Sequence, residues 1–119
     1  MSVPSRPGIK VVSIKSGMPT VDEARALLAN AIASAKSEGC RVMKLVHGYG
    51  SSGKGGALKS ALRSSLRKRR KEGKIRSFIA GEEFETFSAE TLEALHEYPE
   101  LRDDSDFNQS NEGITMVLL

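Results

Sequence analysis

The residues with chemical potential in this 119-residue chain are concentrated between His47 and Gly56, where one histidine is followed by five glycines and a lysine. Such a glycine-rich turn lets a phosphate approach the backbone without a side-chain clash. An apolar run at residues 42–46 precedes the turn and a basic amphipathic segment follows it, so the turn joins a strand to a helix N-terminus. Unpaired N–H groups and the helix dipole favour an anion there. The pattern predicts phosphate binding, with Lys54 as a point charge.

The same turn matches a nucleotide-binding motif at every position except the last. Residues 48–54 satisfy the first seven positions of the P-loop, G-x-x-x-x-G-K-[ST]. The eighth position is Gly55, which lacks the hydroxyl group that binds Mg²⁺ in that motif. A further strand ending in Asp, which would hold the metal ion, is not visible in the sequence. The sequence therefore argues against a nucleotidase.

The length and composition indicate one ordinary globular domain. Of the 119 residues, 39% are hydrophobic and 28% are charged. Residues 1–8 are expected to form a flexible tail and residues 9–119 a single domain. Because the chain has neither a membrane-length apolar run nor a signal peptide, a cytoplasmic location is expected. The single cysteine, Cys40, excludes an internal disulfide and a cysteine-based zinc site.

Charge is distributed unevenly along the chain. Residues 41–80 hold twelve Lys or Arg and one acidic residue, whereas residues 82–112 hold eleven acidic residues and one basic residue. The first segment is suited to a polyanion and the second would repel one. Like charges one helical turn apart repel each other unless a polyanion screens them, which favours a binding role for the basic stripe. That stripe on the second helix consists of Lys59, Arg63, Arg67 and Arg70.

Hydrophobic periodicity predicts an α/β fold with the element order β-α-β-α-β-(α)-β. Thr20 and Glu23 have the spacing of a capping box at the start of the first helix. The third strand is predicted at residues 74–80, and residues 113–119 are apolar enough for a strand inside the sheet. The first three strands are expected to pair in parallel through right-handed crossovers.

The acidic segment at about residues 82–112 is interpreted as an insertion before the last strand. Phe84 and Phe87 are expected to close over an open edge of the core, and Leu92 and Leu95 to face inward from a short helix. The charged remainder is interpreted as solvated. Two alternatives stay open: the segment could fold over the basic helix as a nucleic-acid mimic, or dock a basic partner.

With these elements in place, the chain resembles the Smr (small MutS-related) domain family over residues 9–119. Residues 46–50, 53–59 and 113–118 match that family's HGxGxG word, its following helix and its closing GxTxVxL strand, with one extra residue in the glycine-rich word. The resemblance implies a two-layer α/β sandwich with a four-stranded mixed sheet, similar to the C-terminal domain of translation initiation factor 3. It also implies binding to DNA or RNA that is structured or branched, through shape more than sequence.

The resemblance leaves the question of cleavage open. Some family members nick branched DNA or cleave messenger RNA, often described as needing a divalent metal ion, here Mg²⁺ or Mn²⁺. Nuclease members carry Asp-x-His at the end of the first strand, where this chain has Ser13 and Lys15. Ser13 has no carboxylate for a metal ion, and Lys15 is no general base near neutral pH unless it is strongly desolvated. His47 is then the one catalytic candidate, as a base; the alternatives are that it braces the loop or contacts a phosphate.

Three functions follow from these observations. The first is a module that binds the phosphate backbone. The second is a metal-assisted endonuclease linked to DNA repair, recombination or ribosome quality control. The third is a protein-interaction module that uses the acidic insertion, with ribosomal or repair proteins as partners. The predicted nucleic-acid-binding residues are Lys15, His47, Gly48, Tyr49, Gly50, Gly53, Lys54, Gly55, Lys59, Arg63, Arg67 and Arg70.

Overall fold

The computed structural model describes residues 9–14, 19–48 and 53–119, with side chains in the last range from residue 56 onward. The expected tail at residues 1–8 lies outside the described residues. Short 3₁₀ helices at Gly81–Glu83 and Pro99–Asp103 flank the third α-helix. None of the described helices is long and apolar enough to cross a membrane. The main elements keep the predicted order and are β1 (Ile9–Ser13), α1 (Val21–Ser37), β2 (Val42–Val46), α2 (Gly53–Lys71), β3 (Ser77–Ala80), α3 (Ala89–Glu97) and β4 (Ile114–Leu118).

The four strands form one mixed sheet in the order β1-β2-β4-β3. β1 pairs in parallel with β2, whereas β4 runs antiparallel to both of its neighbours and places Met116 opposite Lys44 and Ile79. The expected parallel pairing is therefore confirmed for β1 and β2 but wrong for β3, because β4 lies between β2 and β3. The third strand is also shorter than predicted and begins at Ser77. The prediction that the last strand lies inside the sheet is confirmed, since all five residues of β4 are buried.

The helices α1 and α2 cover one face of the sheet and form the predicted helix layer. At the start of α1, the Thr20 hydroxyl accepts a hydrogen bond from the Glu23 amide at 3.1 Å, and the Glu23 carboxylate accepts one from the Thr20 amide at 2.9 Å. This is the predicted capping box, which satisfies two amides that the helix cannot. The largest side chains of this core come from both helices and from the sheet: Leu28, Ile32, Leu62, Leu66, Met43, Leu45 and Val117.

The acidic segment covers the opposite face of the sheet. Its apolar side chains build a second core cluster, and burying each large one stabilises the fold by about 1.5–3 kcal/mol. The expectation that its charged side chains are solvated is wrong for Asp104, which is buried and pairs with Lys44. Phe84 and Leu95 are buried as predicted, but Phe87 is 92% exposed and Leu92 is 50% exposed. Phe87 precedes the helix cap, and Leu92 lies off the helical stripe that faces the sheet. That cluster contains Phe84, Ala94, Leu95, Tyr98 and Leu101 against Val42, Ile79, Met116 and Leu118.

Candidate nucleic-acid interface

The predicted phosphate-binding turn lies at one edge of the sheet, where β2 ends and α2 begins. Because β1 and β2 are parallel and β4 is antiparallel to β2 and β3, this edge gathers the carboxyl ends of three strands and the start of β4. Ligands of α/β sheets bind preferentially beyond the carboxyl ends of the strands. The first turn of α2, which includes Gly53 and Gly55, faces the same edge with amides that have no intrahelical partner.

The entry to this turn is fixed by the residue that precedes β4. The amides of His47 and Gly48 both donate to the Gly113 carbonyl oxygen, at 3.0 and 3.1 Å. Gly48 has a φ of +83°, a backbone conformation that strongly favours glycine. The first two residues of the glycine-rich word are therefore held in place by the other end of the chain.

His47 is buried beneath the turn, with 2% of its surface exposed. Its Nδ1 lies 2.8 Å from the Gly48 carbonyl oxygen, and its Nε2 lies 2.9 Å from the Thr115 hydroxyl oxygen. A carbonyl oxygen can only accept, so we assign the ring proton to Nδ1 and let Nε2 accept from the Thr115 hydroxyl. The imidazole thus joins the turn to β4 and has no free nitrogen in this arrangement.

Burial lowers the pKa of His47 by disfavouring the charged ring. The hydrogen bond to Gly48 acts in the opposite direction, and the positive charges of Arg63 and Lys59 lower the pKa further, against a smaller effect of Glu82. The resulting neutral imidazole agrees with the assigned hydrogen bonds. As placed, the ring links Gly48 to Thr115 of β4 and is not poised to take a proton from water.

The Arg63 side chain of α2 forms hydrogen bonds and an ion pair with other residues of the protein. Its Nε donates to the Thr115 hydroxyl at 3.1 Å, and its two terminal nitrogens donate to the Glu82 carboxylate at 2.8 and 2.7 Å. One of them also donates to the Ile114 carbonyl oxygen at 3.2 Å. This two-pronged pairing with a carboxylate has the geometry that an arginine uses for a phosphate. To contact a phosphate with the same prongs, Arg63 would have to release Glu82.

Glu82 is the centre of a small charge cluster at the end of β3. Burial acts to raise its pKa, but the hydrogen bonds and charge of Arg63, its own backbone amide and the charge of Lys59 lower the pKa to about 2. Lys59 lies 3.7 Å from Glu82 and also 3.7 Å from Glu112. Two members of the predicted basic stripe are thus already neutralised by the acidic segment.

The other two members of the stripe, Arg67 and Arg70, have exposed side chains. Within the described part of the chain, neither takes part in an ion pair. Both line a cavity of about 340 Å³ together with Glu83 and Glu90, so acidic side chains stand across from them. The stripe therefore borders an acidic surface on one side.

The structure describes only some of the remaining residues that were predicted to bind nucleic acid. Lys15, Tyr49 and Gly50 lie outside the described residues, and Lys54 is described only as backbone in the first turn of α2. Their roles stay predictions. No group of three or more His, Cys, Asp or Glu side chains suited to a metal ion occurs in the described ranges.

Sequence reasoning did not single out Thr115 or Lys44, although each is a polar residue in an apolar strand. Lys44 is 7% exposed, and its ammonium group lies 2.7 Å from carboxylate oxygens of both Asp104 and Asp106. Burial acts to lower the pKa of Lys44, but the hydrogen bonds and charges of the two carboxylates raise it. A buried charge needs such partners, so the interruption of an apolar run was a signal for a polar network.

The network around Lys44 extends to the turn. Asp106 accepts a hydrogen bond from the Asn111 side-chain amide at 2.8 Å, and the Asn111 side-chain oxygen accepts one from the Gly113 amide at 2.9 Å. Gly113 in turn holds His47 and Gly48. The acidic segment thus supports the glycine-rich turn through a continuous series of hydrogen bonds.

Comparisons with known proteins agree with this geometry. The family model for the Smr domain matches residues 16–86. The crystal structure of the Smr domain of Thermus thermophilus MutS2 is similar in fold, with a TM-score of 0.56 and 24% identity over 92% of this chain and 96% of that one. A comparison with curated proteins gives no match. Since the family model covers more than half of the chain, the protein belongs to the Smr domain family, a family of nucleic-acid-binding and nucleic-acid-nicking domains.

Proposed function

We propose that this domain binds the phosphate backbone of structured or branched DNA or RNA at the turn between β2 and α2. The observation that carries the proposal is the braced entry to that turn: His47 and Gly113 hold it beside the N-terminus of a strongly basic helix. Because His47 and Gly48 are already held in place, they lose little conformational freedom when a phosphate binds. Backbone amides at the start of α2, together with Lys54, supply the groups that a phosphate needs.

The length of α2 suggests a ligand with several phosphates. From Lys54 to Arg70 the helix axis extends about 24 Å, at about 1.5 Å per residue. That distance corresponds to about seven steps of a nucleic-acid duplex at about 3.4 Å per step. A ligand that reaches from the turn to the basic end of the helix is therefore a polymer. The last turn of α2 contributes the charges of Lys68, Arg69, Arg70 and Lys71.

Lys59 and Arg63 carry positive charges that become available to a phosphate only after Glu82 is displaced. Both are paired with Glu82, so they attract a polyanion weakly while that pairing persists. A phosphate close to the turn could take over the prongs of Arg63 because carboxylate and phosphate oxygens accept the same pair of N–H groups. Binding through these two residues would then include the displacement of Glu82.

Binding is favoured over cleavage by the state of His47. Hydrolysis of a phosphodiester requires a base near the attacking water, and both nitrogens of this buried imidazole are already hydrogen-bonded. Ser13 and Lys15 stand where nuclease members of the family have Asp and His. We therefore propose a binding module and treat cleavage as the outcome that would refute this part of the proposal.

The proposal is tested by measuring the affinity for a branched DNA junction and a structured RNA over a series of salt concentrations. The observed association constant should fall steeply, with a log–log slope of about −0.9 for each phosphate neutralised on duplex DNA. Lys54→Gln should weaken binding about tenfold and reduce the slope by about one. Arg25→Gln is the matched control, because Arg25 is an exposed cation of α1 that lies 3.6 Å from Asp22 of its own helix. A flat salt response, or an equal loss in the control, would refute the proposal.

The same substrates should be incubated with Mg²⁺ and with Mn²⁺ to test for cleavage. We expect both nucleic acids to remain uncleaved when the wild-type protein is present at concentrations that saturate binding. If the wild-type protein cleaves and His47→Gln binds without cleaving, His47 is catalytic and the assignment of this residue as a brace is wrong.

A further inference from the structure

Among the strands that the structure describes, β3 pairs only with β4 and is therefore an edge strand of the sheet. Its outer edge therefore offers backbone N–H and C=O groups to another strand. The helices α2 and α3 flank this edge from the two faces of the sheet. Two adjoining cavities, of about 340 and 280 Å³, lie along it, and both are lined by Arg70 and Glu90. The edge thus forms the floor of a groove between two helices.

The two sides of the groove carry opposite charges at helical spacing. Three arginines of α2 border the first cavity, and three glutamates of α3 border the second. Positions three and four apart lie on one face of a helix, so each set forms a stripe about 10 Å long. A four-residue strand extends about 13 Å, so the stripes follow nearly the whole of β3. The stripes are Arg63, Arg67 and Arg70 on one side and Glu90, Glu93 and Glu97 on the other.

Salt bridges close the two ends of the groove and leave its middle open. At one end Arg63 pairs with Glu82, and at the other Arg76 pairs with Glu97. Between these ends the exposed charges are unmatched. Arg67, Arg70, Glu90 and Glu93 form no ion pair within the described ranges.

We infer that this groove accepts an extended peptide segment whose side chains are alternately acidic and basic. An added strand would lie about 4.8 Å from β3 and use its free backbone groups. Successive side chains of a strand point to opposite faces of the sheet. The acidic side chains of the peptide then meet Arg67 and Arg70, and its basic side chains meet Glu90 and Glu93.

Other occupants fit the groove less well. A nucleic-acid strand would satisfy the arginine stripe but would place its phosphates against Glu83, Glu90 and Glu93. A second copy of this chain adding its own β3 would bring Ser-Phe-Ile-Ala, which has no charge for either stripe. The inference shares Arg70 with the basic end of α2 but does not depend on the turn, because neither His47 nor Gly48, which the structure describes at its entry, lines either cavity.

The probe is an eight-residue peptide that alternates Glu and Lys, compared with an isomer that has four Glu followed by four Lys. Binding is followed by fluorescence anisotropy and by NMR shifts of the backbone amides of residues 77–80. The alternating peptide should bind at least tenfold more tightly than its block isomer, and it should shift those amides.

Substitutions in the two stripes then test the charge pattern. Glu90→Lys with Glu93→Lys makes both sides basic and should weaken binding at least tenfold. Adding Arg67→Glu and Arg70→Glu to the same protein exchanges the two sides. Because the peptide alternates, a shift of one residue restores every pairing, so affinity should return to within about threefold of wild type. All four residues are exposed, and circular dichroism confirms that each variant is folded.

Three results would overturn the inference. The first is equal binding of the alternating and block peptides. The second is a failure of the four-residue exchange to restore affinity in a folded protein. The third is displacement of the peptide by an eight-residue oligothymidylate that shifts the same amides, which would make the groove a nucleic-acid site. Salt-dependent binding at the turn is a separate measurement, so the proposed function can hold or fail on its own.

Discussion

Replacing Thr115 with valine tests the buried link between α2, β4 and the glycine-rich turn. Thr115 is fully buried, and its hydroxyl accepts from Arg63 at 3.1 Å and lies 2.9 Å from the Nε2 of His47. Valine has nearly the same shape but no hydroxyl. The substitution therefore removes the link without opening a large cavity.

The expected loss of stability follows from the groups left without a partner. A buried polar group that loses its hydrogen bond costs about 1–3 kcal/mol. His47 Nε2 loses its donor entirely, whereas Arg63 keeps its bonds to Glu82 and Ile114. We therefore expect the free energy of unfolding to fall by about 3 kcal/mol. For a chain of this length that corresponds to a decrease of about 10 °C in the midpoint of thermal unfolding.

The assay is urea denaturation at pH 7 of the wild type, Thr115→Val and Thr115→Ser. Serine keeps the hydroxyl and removes one methyl group, which should cost about 1 kcal/mol. Thr91→Val is a matched control, because Thr91 is equally buried and donates one hydrogen bond of 2.6 Å to the Glu83 carbonyl oxygen. If Thr115→Val is as stable as Thr115→Ser, the hydrogen-bonded link has no energetic value and the reasoning is refuted.

Three further perturbations address the supports of the turn. Lys44→Met leaves Asp104 and Asp106 without their ammonium group and should lower the free energy of unfolding, measured by urea denaturation, by about 3–5 kcal/mol. Lys10→Met, which removes a more exposed ion pair with Glu38, should have a far smaller effect, and equal effects of the two substitutions would contradict this expectation. The pKa of Glu82, about 2, lies below its ordinary value, so its contribution is complete above about pH 4.5 and is lost as the pH falls towards 2. Glu82→Gln should therefore be less stable than wild type at pH 7, and its free energy of unfolding should change less between pH 4.5 and pH 2. It should also bind nucleic acid more tightly if Arg63 is a phosphate contact. Gly81→Ala would place a Cβ atom 1.9 Å from the Asn111 carbonyl oxygen and should leave the domain unfolded, as measured by circular dichroism. Gly73→Ala, with open space around it, should lower the free energy of unfolding by only about 1 kcal/mol.

Local patterns in the sequence predicted the elements well. The capping box at Thr20, the apolar stripe of α2 and the buried last strand depend on spacing along a short stretch of chain, and spacing is visible in a sequence. The pairing of β3 was mispredicted because it depends on where β4 enters the sheet. Nothing within residues 74–80 records that a strand from beyond residue 113 becomes the neighbour.

The solvation of the charged residues in the acidic segment was mispredicted for a related reason, since Asp104 is buried against Lys44. Eleven acidic residues dominate its composition, yet the side chains that decide its position are Phe84, Leu95, Tyr98 and Leu101. Likewise the basic stripe suggested free cations, whereas Lys59 and Arg63 are paired with Glu82 across the fold. Charge counts along a chain do not show which charges meet in space, so the predicted site could be located but its electrostatics could not be derived.

The central position of β4 has a consequence for how the domain is made. β4 follows the three other strands that the structure describes, but it joins β2 to β3 and supplies Thr115 as the partner of His47. During synthesis, a nascent chain that has emerged only as far as α3 has β3 unjoined from β1 and β2, and His47 lacks its partner Thr115. A ribosome-bound intermediate should therefore expose apolar surface that chaperones recognise, and it should lack the braced turn. Competence for binding would then arise in a single late step, when residues 113–118 leave the exit tunnel.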